Sequence, residues 1–406
     1  MDAYFADLGR AVAARWQREN FSLAKFPDIA RQALEERSPV AHVDVPAFVR
    51  EFLSNDEQAA QTQSGFGQPE IVAYQHPRFY IQLLFWMDGT TDIHQHQFSG
   101  AFHVLAGSSI HARFTFENAH EITARLHVGD VRMQTIELLE TGRTVAIASG
   151  RGFIHSLFHL EQPSITVVVR THHDPGTDPQ FNYLPPHVAQ DPSYTDTLMN
   201  RREQILDVLQ QIHDPGYPEL VLNMIAALDF ERGFAVLRQS MGHLQGVDAW
   251  DMVLAAFRDT HGALADGIGP TLEEAARRAG LAELRSAIIE PEHRFFLALL
   301  LNVPTRDDLL TLVAARFPEE PPLATVVRWA DELVEISDAG TTIVDAVFPA
   351  TLEIADDEQP ELFVAAFRHY VAGDGAVPAA LRGLGAEGRE QLRSAFARSS
   401  LRVMLA

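Results

Sequence analysis

Apolar residues recur at intervals of three and four in YFADLGRAVAARW, FPDIARQALEE and DVPAFVREFLSN, the period of a helix with one buried face. Residues 1–60 are therefore expected as a helical N-terminal cap. Between residues 61 and 175 the texture changes to short runs rich in β-branched and aromatic side chains: FYIQLLFW, GAFHVLAG, HARFTFE, ITARLHVG, RMQTIELLE, TVAIAS and SITVVVRT. Turns marked by Asp88-Gly89, Gly107-Ser108, Gly129-Asp130, Gly142 and Gly150 separate them, at the spacing of a small all-β sandwich or barrel. Residues 176–196 are dense in proline and aspartate, can sustain neither a helix nor an inner strand for long, and are expected as a surface-packed linker. Helical patterning then fills residues 197–406, where Thr271 with Glu274 and Thr305 with Asp308 have the spacing of helix-start capping pairs. The expected fold class is α+β: cap, central β-barrel, linker and an α-helical C-terminal domain.

Composition narrows the chemistry. With 406 residues, 46% of them hydrophobic, the chain can bury more than one core. Acidic residues outnumber basic ones by 55 to 32, and a net charge of −23 repels nucleic acid and anionic membranes alike. Lys25 is the sole lysine, which removes lysine Schiff-base and P-loop chemistry elsewhere. Cysteine is absent, so any metal must sit on His, Asp or Glu. No basic leader segment opens the chain and no apolar run reaches membrane-spanning length, so a cytoplasmic location is expected.

One stretch carries candidate chemistry. In DIHQHQFSGAFHVLAG, residues 92–107, His94 and His96 lie one residue apart in a β-like run. Alternate strand residues share a face about 6.5–7 Å apart, so both imidazoles can turn toward one ion. Gly89, His94, His96 and Gly107 resemble the first motif of the cupins, and GRGFIHSLFHLEQPSITVVVRT resembles the second, with His155 in the histidine position. Over residues 75–172 the order of a hydrophobic strand, Trp86, a turn and Ile93-His94-x-His96 is similar to the thiol dioxygenases of the cysteine dioxygenase type. The resemblance implies a cupin barrel, the double-stranded β-helix, in which His94, His96 and His155 bind ferrous iron and leave positions for substrate and dioxygen. His159 is the rival third ligand.

The departures from that family shape the reading. QFSGAF holds no glutamate where most cupins have a fourth ligand, which leaves a three-imidazole site able to hold zinc, nickel or manganese as well as Fe(II). The Ser-His-Tyr relay of the thiol dioxygenases is missing, since the alternating positions of SITVVVRT read Thr166, Val168 and Arg170, and Ala101 takes the place of the crosslinking cysteine. Tyr80, Gln82, Leu84 and Trp86 share one strand face, which the family comparison turns toward the metal. Tyr80 and Gln82 are candidates to orient substrate or water, with Trp86 as core. Arg170 is the candidate carboxylate clamp for a small acidic substrate, with Arg78 as the fallback and a rim ion pair as the plain alternative. His103 shares parity with Ala101 and is a pocket candidate, against the alternative of a core histidine bonded to a neighbour. His243, His261, His293 and His369 show no paired metal spacing and read as structural.

The expected activity is a three-histidine iron oxygenase or dioxygenase that combines dioxygen with a small acidic molecule. Two alternatives remain: a cupin that uses another metal for hydrolysis, isomerisation or decarboxylation, and a binding module whose helical half contacts a protein partner. The helical half is equally compatible with a lid, a docking surface or a homodimer interface.

Overall fold

The computed structural model describes residues 2–55, 59–62, 67–87, 89, 92–336, 340, 342–344, 347–348, 354–355, 358–372 and 376–405. The chain divides into two compact units, Met1–Thr135 with Leu139–Ala276, and Ile136–Leu138 with Arg277–Ala406. Asp88, expected in a turn, lies outside the described residues.

The first unit opens with helices α1 (Asp2–Arg18), α2 (Phe26–Glu36) and α3 (Val45–Ser54). Asp44 caps α3 by accepting from the backbone N–H of Ala47 at 2.9 Å. Among the described residues eleven strands follow: β1 (Glu70–His76), β2 (Phe79–Trp86), β3 (Ile93–His96), β4 (Gly100–Ala106), β5 (Ser108–Thr123), β6 (Leu126–Glu140), β7 (Thr144–Ile147), β8 (Gly150–His159), β9 (Ser164–Thr171), β10 (Asn182–Leu184) and β11 (Val188–Gln190). They form a five-stranded sheet in the order β1-β2-β9-β4-β7 and a closed six-stranded barrel in the order β10-β11-β6-β5-β8-β3. The arrangement is mixed α/β, a closed barrel and a second sheet with helices before and after them in the chain.

Period-two alternation divides β2 cleanly between two cores. Phe79, Ile81, Leu83 and Phe85 pack with Phe5, Trp16, Phe26 and Leu34 of the cap helices. Leu84 and Trp86 enter a second cluster with Phe98, Phe102, Ile147 and Val168. The cap thus covers one face of the sheet and leaves the other for the interior of the molecule. Burying such aromatic and aliphatic side chains contributes about 1.5–3 kcal/mol apiece.

Three sequence expectations change here. The stretch expected as a linker contributes β10 and β11, whose pairing with β3 and β6 closes the barrel. Each is three residues long, short enough to fit between the prolines that spoiled the pattern. Gly129 is not a turn but sits inside β6, where an added Cβ would lie 2.6 Å from the carbonyl oxygen of Glu117, so the glycine permits close approach of β5. Gly107, by contrast, takes φ +82° at the β4–β5 turn, a conformation that favours glycine. Thr271 is inside a helix and not at its start, its hydroxyl donating to the carbonyl of Gly267, four residues earlier, at 2.8 Å.

Helices α4 (Thr197–Gln211), α5 (Tyr217–Ala227), α6 (Phe230–Gly246), α7 (Trp250–His261) and α8 (Ile268–Ala287) complete this part of the chain. Asp196 and Asp229 cap α4 and α6 through backbone N–H groups. Their core includes Phe234, Leu237 and Phe257 together with Leu126, Val128 and Val188 from the barrel, so the first helices of the expected C-terminal domain belong to the barrel's own unit. The unit boundary falls inside α8.

Apart from Ile136–Leu138, which belong to β6, the described residues of the second unit are mainly helical. Its central helix, Pro291–Asn302, is buried on all sides from Phe295 to Asn302, and Trp329 is fully buried with its indole N–H donating to Glu292 at 2.6 Å. Thr305 caps the helix Arg306–Arg316, accepting from the Asp308 N–H at 3.2 Å as its spacing suggested. Among the described residues, no helix is long and apolar enough to cross a membrane.

Candidate metal centre

β3 and β8 pair antiparallel with His94 opposite His155, and the register then shifts so that His96 lies opposite Gly150. Candidate ligand atoms of His94, His96 and His155 fall within 4.8 Å of one another, and all three residues are buried. The His96 and His155 Nε2 atoms are 3.0 Å apart. That separation suits either an N–H···N hydrogen bond or two nitrogens sharing an ion at the usual imidazole–metal distance of about 2.0–2.1 Å. His94 Nδ1 lies 3.4 Å from the Asp92 carbonyl oxygen, the kind of backbone contact that orients a ligand ring.

Electrostatics favour the neutral, ligating form. Burial holds the pKa of His94 below the ordinary histidine value, with the Asp92 backbone opposing. Burial first, then the neighbouring His94 and the Arg170 charge, push His96 well below it. His155 is pushed the same way by burial, then by His94, His96, His111 and Arg113. Three neutral imidazoles offer lone pairs and no charge, a donor set that fits a divalent ion of intermediate softness.

A cavity of about 230 Å³ opens on the trio. Its walls are largely apolar, with Leu84, Trp86, Phe98, Phe102 and Val168 prominent. Gln82, Thr166 and His159 add polar groups, and the Trp86 indole N–H donates to the Thr166 hydroxyl at 3.2 Å. Gln82 is 1% exposed, and neither amide atom finds a hydrogen-bond partner among the described residues.

The other expected site residues lie elsewhere. Tyr80 is not part of the cavity wall; its ring packs on His172 at 5.1 Å, and burial raises its pKa. Arg170 is not part of the cavity wall; its guanidinium lies 3.4 Å from the centroid of the Phe98 ring, and that ring packs at a tilt on His96 at 4.4 Å. The expected carboxylate clamp therefore packs on an aromatic ring and is not among the residues that line the cavity. Arg78, the fallback, is exposed and stacks on Phe21. His103 is corrected to a structural histidine: Nε2 meets the Ser38 hydroxyl at 3.1 Å and Nδ1 the Thr144 hydroxyl at 2.7 Å. Its parity with Ala101 turns it to the cap side, because Ala101 packs in the core under the helices.

Sequence reasoning missed two neighbours on β5. His111 lies 5.4 Å, ring to ring, from His155, and Ser109 meets His159 Nδ1 at 3.0 Å. The alternation in SSIHARF carries the signal, but only the pairing of β5 with β8 shows that Ser109 and His111 point the same way as His155. His159, four residues beyond His155 on the same strand, stands apart from the trio and stacks on Trp86 at 4.6 Å.

No family model matches the chain, and no curated protein matches it. Solved structures are similar over part of it, among them two at low identity and partial coverage. One is hydroquinone 1,2-dioxygenase from Sphingomonas sp. TTNP3 with 4-hydroxybenzoate bound, at 9% identity and TM-score 0.21, covering 27% of this chain and 70% of that one. The other is hydroquinone 1,2-dioxygenase PnpCD with Cd2+ and 4-hydroxybenzonitrile, at 11% identity and TM-score 0.21, covering 31% and 87%.

Proposed function

We propose that this protein is a cupin-type metalloenzyme that holds a divalent ion, Fe(II) by the motif resemblance, on His94, His96 and His155 and uses dioxygen to oxidise a small molecule. The observation that carries the reading is the convergence of three buried, neutral imidazoles on the wall of an apolar cavity. Bound there, such an ion would supply a Lewis-acid centre with positions left for substrate and dioxygen.

The chain's own residues do the rest. The β3–β8 pairing fixes the ligand rings, and the Asp92 carbonyl sets the orientation of His94. Leu84, Phe98, Phe102 and Val168 keep the site dry, which strengthens every polar contact made inside it. Gln82, facing the cavity with its amide uncommitted, orients the substrate. Arg170 supports the site through Phe98, and Tyr80 packs at the same end of β2, paired with Arg170 across the sheet.

The donor set also suits zinc, with hydrolytic chemistry in place of oxidation. Metal analysis and oxygen uptake separate the two. Protein purified without added metal should carry about one divalent ion per chain, lost in His94→Ala and His155→Ala, and the iron-loaded protein should consume dioxygen when given substrate. Equal metal content in wild type and both variants overturns the metal reading; zinc occupancy without oxygen uptake overturns the oxygenase reading alone.

A further inference from the structure

The cavity has a second polar feature that the metal trio does not use. His159 is 1% exposed and lines the cavity, and its Nε2 has no hydrogen-bond partner among the described residues. The ring is nonetheless held firmly: Ser109 meets Nδ1 at 3.0 Å, and Trp86 stacks on one face, nearly parallel at 15°. A side chain fixed on two sides and unpaired on its third, at a cavity wall, is arranged to meet a ligand. Gln82 gives the same indication independently, with both amide atoms unpaired at the same cavity.

The two groups sit at different levels. Gln82 is opposite Val168 in the β2–β9 ladder, and Phe102 is opposite the same Val168 from the other side, with the Phe102 ring 6.2 Å from His155. His159 lies four residues further along β8 than His155, about 13 Å at the usual strand rise. A ligand that meets both therefore extends from the level of the trio toward the Trp86 end.

Charge at the wall selects its chemistry. Among the described residues no arginine or lysine lines the cavity, and the carboxylate there is Asp92. An anionic group away from the metal would face no cation and one like charge. Burial keeps His159 neutral, its pKa pushed down to about 3.

We propose that Gln82 and His159 are two recognition points for an extended ligand that carries neutral hydrogen-bonding groups on an apolar body, a carboxamide or hydroxyl at the Gln82 end and a second such group at the His159 end, and not for a carboxylate. This deepens the metalloenzyme reading, because the cavity is the same, and it replaces the acidic substrate expected from the sequence. Gln82 supplies both a donor and an acceptor, the complement of a primary amide. His159 supplies one further donor or acceptor, according to its tautomer.

Benzamide and benzoate, alike in shape and unlike in charge, test this on the purified protein by ligand-observed NMR or calorimetry at neutral pH, with metal content measured on the same samples. Benzamide, too short to span both points, should bind at one of them, so that one of Gln82→Leu and His159→Phe, the latter keeping a ring on Trp86, weakens it at least about fivefold while both leave metal content unchanged. Benzoate should respond to neither substitution. Benzamide affinity unchanged in both variants, or benzoate lost in parallel with benzamide, overturns the proposal. Metal content reports separately on the trio, so failure of the metal reading leaves the benzamide contrast interpretable.

Discussion

Gly100 gives the sharpest test of how the site is framed. It lies in β4, opposite Arg170 of β9 and Ile147 of β7, directly after Phe98 and Ser99. A Cβ added there would fall 2.1 Å from the Val169 carbonyl oxygen and 2.9 Å from the Arg170 Cα, both backbone atoms of the central ladder. Reaching an ordinary contact of 3.4 Å requires a local shift of about 1.3 Å between the strands. A shift of that size carries neighbouring N–H···O pairs out of bonding range. Overpacking a rigid site costs about 1–3 kcal/mol and each lost ladder bond about 0.5–1.5 kcal/mol, so Gly100→Ala should destabilise the protein by about 2–5 kcal/mol. In urea, with slopes of about 2–3 kcal/mol/M, the midpoint should fall by about 0.7–2.5 M. Gly152→Ala is the control, since its nearest neighbours would be 3.8 Å away, and it should stay within about 0.5 kcal/mol of wild type. Equal midpoints for the two variants would refute the close β4–β9 approach and, with it, the placement of Phe98 over Arg170.

Gln82→Leu should raise the stability of the ligand-free protein by about 1–3 kcal/mol, because it removes a buried amide that lacks partners; a lower urea midpoint contradicts this. His159 is refused a proton by the folded state down to about pH 3, whereas the unfolded chain takes one near the ordinary value of 6.5. Stability should therefore fall as pH drops through that window, by about 1.4 kcal/mol per pH unit for this residue, and His159→Phe should flatten the slope of urea midpoint against pH; an unchanged slope contradicts the assignment. Arg170→Lys loses the flat contact with Phe98, which should cost about 0.5–2 kcal/mol in urea while leaving benzamide affinity unaltered. A loss of benzamide binding would return Arg170 to the cavity.

Much of this architecture follows from local pattern. The helical cap, the β-rich middle and the helical remainder each carry their own period, and the same alternation that buries Phe79 and Ile81 under the cap turns Gln82 and Leu84 inward. The strands at 182–184 and 188–190 escaped notice because three-residue strands between prolines have too few positions to show a period. The packing of His103 under the cap and of Arg170 on Phe98 was not legible in the sequence for another reason. Alternation shows which residues share a face, and it cannot show what covers that face: the cap helices in the first case, the Phe98 ring in the second.

By itself the sequence determined that His94 and His96 project from one short run and that no thiolate could join them, because strand geometry and composition are local properties. It could not choose between His155 and His159, which share parity on one strand. The β3–β8 register made that choice, placing His155 opposite His94 and leaving His159 to Ser109 and Trp86. Register is a relation between segments some sixty residues apart, fixed by how two buried faces fit together, and such a fit exists only once the chain has folded.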